Sequence, residues 1–267
     1  MSCSLVAVDI GNTRLKLGLF DSGSTANAPH INHLPVPIQS LALPSADWDK
    51  AVLRHWMTNV PAATQWWIAS VNRTAAARLT ESIRSIDPAA SLRMLSHGDL
   101  PIAVAVKEPE KVGIDRLAAA AAADRLREPA RVAIIVHVGT AIVVDLVGTD
   151  GRFCGGAILP GIAMSARALH EFTDLLPQSP MQELGEPPAA LGASTLEAIH
   201  SGLYWGAIGA MRELAMRLLD SPVASGAKAD VFLTGGAAPS AADQLGPNAR
   251  YVEHLVLSGI ALAAIRG

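Results

Sequence analysis

A strand, a glycine turn and a second strand occur twice in this 267-residue chain, and this pairing limits the fold more than any other feature. The first copy reads Leu5-Val-Ala-Val-Asp9-Ile10-Gly11-Asn12-Thr13-Arg14-Leu15-Lys16-Leu-Gly-Leu-Phe20. The second reads Ile134-Ile-Val-His137-Val-Gly139-Thr140-Ala-Ile-Val-Val-Asp145-Leu-Val147. Superimposed, Gly11 meets Gly139 and Asp9 meets His137. Near-continuous apolar runs on both sides of a tight turn read as a β-hairpin. One such hairpin in each half predicts a duplicated α/β architecture with a cleft between the halves. Both turns offer backbone N–H groups, which bind phosphate oxygens. The pattern points to a nucleotide-handling enzyme.

The length suits two domains of roughly 100–150 residues each. Half the residues are hydrophobic and 17% are charged, enough apolar material for two cores. A net charge of −3 gives no general attraction to nucleic acid or to anionic lipid, so neither is expected as a partner. The two cysteines, Cys3 and Cys154, make neither a disulfide framework nor a zinc cluster. No basic region precedes the first apolar run and Asp9 interrupts it, so a secretory leader is not expected. No apolar stretch reaches the roughly 18 residues of a membrane span. A soluble cytoplasmic protein is the expectation.

Element by element, the pattern predicts a loop with one edge strand over 22–45 and a helix capped by Ser45 and running to about Thr58. A strand over 66–71 places Trp66 and Trp67 in a core. A helix over 74–86, a strand near 92–95 and a loop over 97–113 follow. The alanine-rich run from Arg116 to Leu126 predicts a helix with Asp115 at or near its start. Its small side chains suit close packing, and it is expected to bridge the halves. The second half predicts strands over 131–137, 141–147 and 153–159. A helix opened by Pro160-Gly161 runs to about Glu171. After a loop over 177–190 come a helix over 194–219 and a strand over 230–234. The helix over 255–265 is expected on the second sheet. The domain division that follows is 1–115 and 116–267.

Asp9-Ile10-Gly11-Asn12-Thr13-x-x-Lys16 carries the strongest chemistry. A carboxylate ending a buried strand needs a partner, and Mg²⁺ held through water is a common one. Gly11 lets backbone approach a phosphate, Asn12 and Thr13 add donors, and Lys16 brings a point charge to the β/γ phosphates. The alternative is a capped turn in which Asp9 bonds turn amides. Gly113-Ile114-Asp115-Arg116 has a carboxylate that could orient an acceptor hydroxyl and take its proton late. It could equally be a helix N-cap beside a surface arginine. Thr234-Gly235-Gly236-Ala237 could seat a nucleoside base or simply turn a strand into a helix. Gly155-Gly156-x-x-x-Pro160-Gly161 reads rather as tight packing and a helix start, and His170, His200 and His254 as isolated histidines. Walker A, G-x-G-x-x-G, H-E-x-x-H, C-x-x-C and G-x-S-x-G patterns are missing from the sequence.

Together with Gly139-Thr140-Ala141, Gly155-Gly156-x-Ile158-x-Pro160-Gly161 and Ser194-Thr195, these motifs resemble, in order and over nearly the whole chain, the type III pantothenate kinases. These belong to the acetate kinase, sugar kinase and actin superfamily. The resemblance implies two ribonuclease-H-like, actin-like domains and a homodimer with its acceptor site near the subunit interface. It implies ATP-dependent phosphorylation of pantothenate to 4'-phosphopantothenate, the first step of coenzyme A synthesis, with Mg²⁺ and usually K⁺ or NH₄⁺. By match, Asp9, Ile10, Gly11, Asn12, Thr13, Arg14, Leu15, Lys16 and Thr140 would contact ATP, with Asp9 on Mg²⁺ through water. Asp115 would be the proton acceptor; Val106, Gly113, Ile114, Asp115, Arg116 and Thr195 would contact pantothenate. Two positions depart from the family pattern. His137 stands where an Asp usually binds the monovalent cation, and Val106-Lys107-Glu108-Pro109 where a Tyr often precedes Asn-Pro. The competing readings are another kinase or phosphohydrolase of the superfamily, or a non-catalytic nucleotide-binding paralogue. Intact Asp9, Lys16 and Asp115 count against the last.

Overall fold

The two hairpins seed two sheets of the same design. In the computed structural model, which describes residues 4–21, 33–224, 226–236 and 240–266, the first sheet runs β3-β2-β1-β4-β5. Its strands are β1 (Leu5–Ile10), β2 (Arg14–Phe20), β3 (Gln39–Pro44), β4 (Gln65–Ser70) and β5 (Ser91–Met94). β1, β2 and β3 pair antiparallel in sequence, whereas β4 joins β1, and β5 joins β4, in parallel. The second sheet uses β6 (Ala103–Val104), β7 (Val132–Val138), β8 (Ala141–Val147), β9 (Arg152–Pro160), β10 (Ala229–Gly235) and β11 (Ala249–Tyr251). Its order, β11-β10-β7-β8-β9-β6, repeats the plan: an antiparallel meander β7-β8-β9, then β10 and β11 added in parallel. The duplication expected from the sequence is present in the topology.

Each sheet buries both faces of its hairpin. In the first, Val6, Val8 and Ile10 of β1 and Leu15, Leu17 and Leu19 of β2 pack against two helices, α1 (Lys50–Met57) and α2 (Arg73–Ile86). Trp56 of α1 meets Trp66 edge to face, with ring centroids 6.2 Å apart, and Trp66 and Trp67 are both core residues as expected. The opposite face carries small residues, Ala7 opposite Gly18. There the last helix, α7 (Leu255–Arg266), approaches so closely that a Cβ on Gly18 would stand 3.1 Å from Leu257. α3 (Ile114–Leu126) packs on α7 through Ala118 and Gly259, where a side chain would meet the Ala118 carbonyl at 1.9 Å. Ala118 to Ala123 are all buried, as in a helix enclosed by its neighbours.

Four expectations need correction. The C-terminal helix lies on the first sheet, not the second, because the glycine and alanine face of β1 and β2 admits a helix backbone at short range. α3 belongs wholly to the first unit rather than bridging the halves. Among the described residues that unit comprises positions up to 103, 107–126 and from 254 onward, and the second comprises 104–106 and 127–253, in place of a single break after 115. The cap of α1 is Asp49, whose carboxylate accepts from the Ala51 amide at 2.8 Å, not Ser45. The 97–113 segment contains two single-turn 3-10 helices, His97–Asp99 and Pro109–Lys111, besides β6. The second unit completes its layers with α4 (Ile162–Glu171), α5 (Thr195–Leu219) and α6 (Ser240–Asp243). Cys3, residues 22–32 of the segment expected as loop over 22–45, and Ala237 lie outside the described residues.

Candidate active site

Pairing register puts Asp9 of β1 directly opposite Lys16 of β2 and beside Ala69 of β4. Opposed residues of an antiparallel pair share a face, so lysine and carboxylate stand together on the face that α3 and α7 cover. Asp9 is 8% exposed, and burial pushes its carboxyl up to about 7. The Asp115 carboxylate contributes to that rise, and Lys16 acts in the opposite direction. Among the described residues none donates a hydrogen bond to the Asp9 carboxylate, so the capped-turn alternative is not the arrangement adopted. The turn closes without it, through the Gly11 amide donating to the Arg14 carbonyl at 2.9 Å.

Ser45 performs a different task from the one read in the sequence. Its hydroxyl donates to the Gly11 carbonyl at 2.8 Å, and its amide donates to the Thr13 carbonyl at 2.8 Å. Two carbonyls of the phosphate-type turn are thereby held on one side by a buried serine. Asn12, Thr13 and Arg14 remain exposed. Nothing in the local sequence distinguishes such a serine from a helix cap, since both roles favour the same residue.

Asp115 is the second residue of α3, and its Oδ1 accepts from the Arg116 amide at 2.9 Å. A Cβ on Gly113 would lie 2.5 Å from that oxygen, so the glycine makes room for the carboxylate. Ile114, 7% exposed, anchors the segment in the core. The first unit therefore gathers Asp9, Lys16, Gly113 and Asp115, which are scattered over the sequence. Among the described residues there is no group of three or more His, Cys, Asp or Glu that could hold a metal ion. A lone carboxylate fits Mg²⁺ of the kind kept by one protein ligand, water and substrate phosphates.

In the second unit three glycine signals converge at one end of the sheet. The Gly161 amide donates to the Thr140 carbonyl at 3.0 Å, and a Cβ there would meet the Gly139 carbonyl at 2.2 Å. The Gly236 amide donates to the Val138 carbonyl at 2.6 Å. Gly235, at φ +99, lies so near that a Cβ would be 2.7 Å from Cδ2 of His137, while Nε2 of that ring is 3.6 Å from the Cβ position of Gly139. The imidazole thus sits between the two glycine turns. Alkali cations prefer oxygen ligands, whereas the side chain at this position offers ring nitrogens. Glu183 rests against Gly236, its Cδ 3.2 Å from that glycine's Cβ position. No sequence pattern marked it. Val106 packs against Gly155, and Thr195 is exposed at the start of α5, after a capping box formed by Ser194 and Glu197.

The profile of the type III pantothenate kinases matches residues 5–217. The chain belongs to the type III pantothenate kinase family. It is 34% identical over 236 residues to a type III pantothenate kinase of Dehalococcoides mccartyi, covering 88% of this chain and 87% of that one. With a type III pantothenate kinase of Rhodopirellula baltica it shares 31% identity over 272 residues, 96% of each. Membership makes it an ATP-dependent kinase. Among solved structures, a Sinorhizobium meliloti protein assigned as a 2-dehydro-3-deoxygalactonokinase superposes with TM-score 0.55 at 17% identity, covering 97% of this chain and 98% of that one. The activator of 2-hydroxyisocaproyl-CoA dehydratase from Clostridium difficile gives 0.51 at 13% identity, over 100% and 95%. At such identities the likeness speaks for the fold: the two-domain α/β class expected from the duplicated hairpin, in the actin-like form that the family resemblance implied.

Proposed function

We propose that this kinase transfers the γ-phosphoryl group of ATP to the primary hydroxyl of pantothenate, giving 4'-phosphopantothenate for coenzyme A synthesis in the cytoplasm. The observation that carries the proposal is the trio Asp9, Lys16 and Asp115, in which Asp9 feels both other charges. Lys16 neutralises the β/γ phosphates, and the residues from Ile10 to Leu15 together with Thr140 complete the contacts to ATP. Asp9 would hold Mg²⁺ through water, and the ion, when bound, would offset phosphate charge. Asp115 orients the acceptor hydroxyl and takes its proton as the oxygen bonds to the γ-phosphorus and ADP leaves. Arg116 and Thr195, with Gly113, Ile114 and Val106, hold pantothenate. The acting species is a homodimer, a reading supported by Phe172, Leu175 and Leu191 of the second unit, each more than four-fifths exposed.

A coupled ADP-release assay tests this directly. Release should depend on pantothenate, from a species of twice the chain's 27.8 kDa by light scattering. Release at the same rate without an acceptor would instead indicate a phosphohydrolase. The same assay reads the cation requirement. With a tetramethylammonium salt holding ionic strength constant, the unmodified protein should keep most of its rate without K⁺, and His137→Asp should acquire or steepen a K⁺ dependence. An unmodified protein that is silent without K⁺ and activated as steeply as the variant would overturn the reading of His137.

A further inference from the structure

The segment that ends in Asp115 is tied down at a point the family motif does not include. His97, in the 3-10 turn after β5, places its Nε2 2.7 Å from the carbonyl oxygen of Val112, the residue just before Gly113-Ile114-Asp115. A carbonyl can only accept, so Nε2 carries the proton of this bond. Val112 has left the 3-10 helix Pro109–Lys111 in an extended conformation, with φ −69 and ψ 135. Immediately after it, the Gly113 carbonyl accepts from the Arg116 amide at 3.1 Å and the Leu117 amide at 3.3 Å, starting the first turn of α3. The His97 contact therefore fixes the last extended peptide before the helix.

The anchor is itself secured. Asp99 accepts from both the amide and the hydroxyl of Ser96 at 2.7 Å, closing the turn around His97. The same carboxylate pairs with Arg93, whose guanidinium lies 4.3 Å from the ring centroid of the buried Trp67. A line of contacts runs from Trp67 on β4 through Arg93 and Asp99 to Ser96, and its chain neighbour His97 reaches the backbone just before Gly113. All of it lies within the first unit.

We infer that His97 is a positioning residue for phosphoryl transfer: it sets the approach of the 113–116 segment, and so the place of the Asp115 carboxylate relative to the acceptor hydroxyl. This rests on the proposed role of Asp115. The reaction is sensitive to such placement, since a misfit of about 1 Å at a reacting group can reduce rates about 100-fold. Because His97 acts through Val112, it touches neither nucleotide nor acceptor.

The test compares His97→Ala with His97→Gln, whose side-chain amide can place a donor near the position of Nε2, and includes Asp115→Asn alongside. His97→Ala should lower kcat about tenfold or raise the pantothenate KM by a similar factor, leaving the ATP KM within twofold and the thermal midpoint nearly unchanged. His97→Gln should recover most of the loss. The inference is overturned if His97→Ala matches the unmodified enzyme, if glutamine restores nothing, or if every kinetic constant falls in step with the thermal midpoint. Collapse of Asp115→Asn beside an unaffected His97→Ala would sink this inference alone. Full activity of Asp115→Asn would remove both it and the assignment beneath it.

Discussion

Asp115→Asn is expected to lower turnover by about 10²–10⁴-fold, the usual worth of a general base, while ATP still binds. The amide keeps the shape of the side chain beside Gly113 and loses its capacity to accept a proton. Binding of ATP should if anything improve slightly. The Asp115 charge is one of the causes that raise the Asp9 carboxyl, and its removal lets Asp9 ionise more readily. Single-turnover rates with saturating substrates, together with calorimetric titration of ATP, separate the two effects. Turnover within threefold of the unmodified enzyme would rule out Asp115 as the proton acceptor.

Asp9→Asn should inactivate the enzyme and stabilise it. Burial raises the Asp9 carboxyl to about 7 in the folded protein from its ordinary value of 3.8, so between those pH values the folded state holds a proton that the unfolded chain has released. Stability from this group is therefore present below about pH 4, declines as pH rises through 7, and stays lost above it. At about 1.4 kcal/mol per unit, the full fall is on the order of 4 kcal/mol. Asparagine imitates the protonated form at every pH and escapes that loss. Without nucleotide, the thermal midpoint of Asp9→Asn should exceed that of the unmodified protein by about 5–10 °C at pH 8. The gap should shrink towards zero near pH 4. A difference independent of pH would refute the burial argument. Turnover should fall about 100-fold or more, as when a group organising transition-state charge is removed.

The hairpin chemistry was legible because strand register places Asp9 and Lys16 together by counting alone, and the turn between them is short. Asp115 was legible as a residue but not as a neighbour of Asp9. Contact between segments so far apart in sequence depends on where α3 packs, and its alanines are buried all round and so name no preferred face. The last helix was misplaced for a related reason. An apolar run declares that it is buried without declaring against what, and the answer lay in small residues, Ala7, Gly18, Ala118 and Gly259, whose meaning is visible only in pairs. Ser45 and Asp49 are both good caps, and which of them caps α1 was decided by the demand of the Gly11 turn for a donor. His97 and Glu183 carried no local signal at all, because each acts on backbone belonging to a distant segment.

The position of α7 also fixes an order of assembly. The first unit is discontinuous, and its Ala7 and Gly18 face is covered by a helix that is synthesised only after residues 127–253. Residues 127–253 are synthesised in full before that cover exists, so the second unit can complete its sheet while the first still shows one bare face. Domains tend to fold as units in the order of synthesis; here β1 and β2 wait for α7, which lies beyond the whole of the second unit in sequence. Until α7 closes over β1, the face that carries Asp9 lacks its cover. The burial that raises that carboxyl therefore depends on chain made after the second unit.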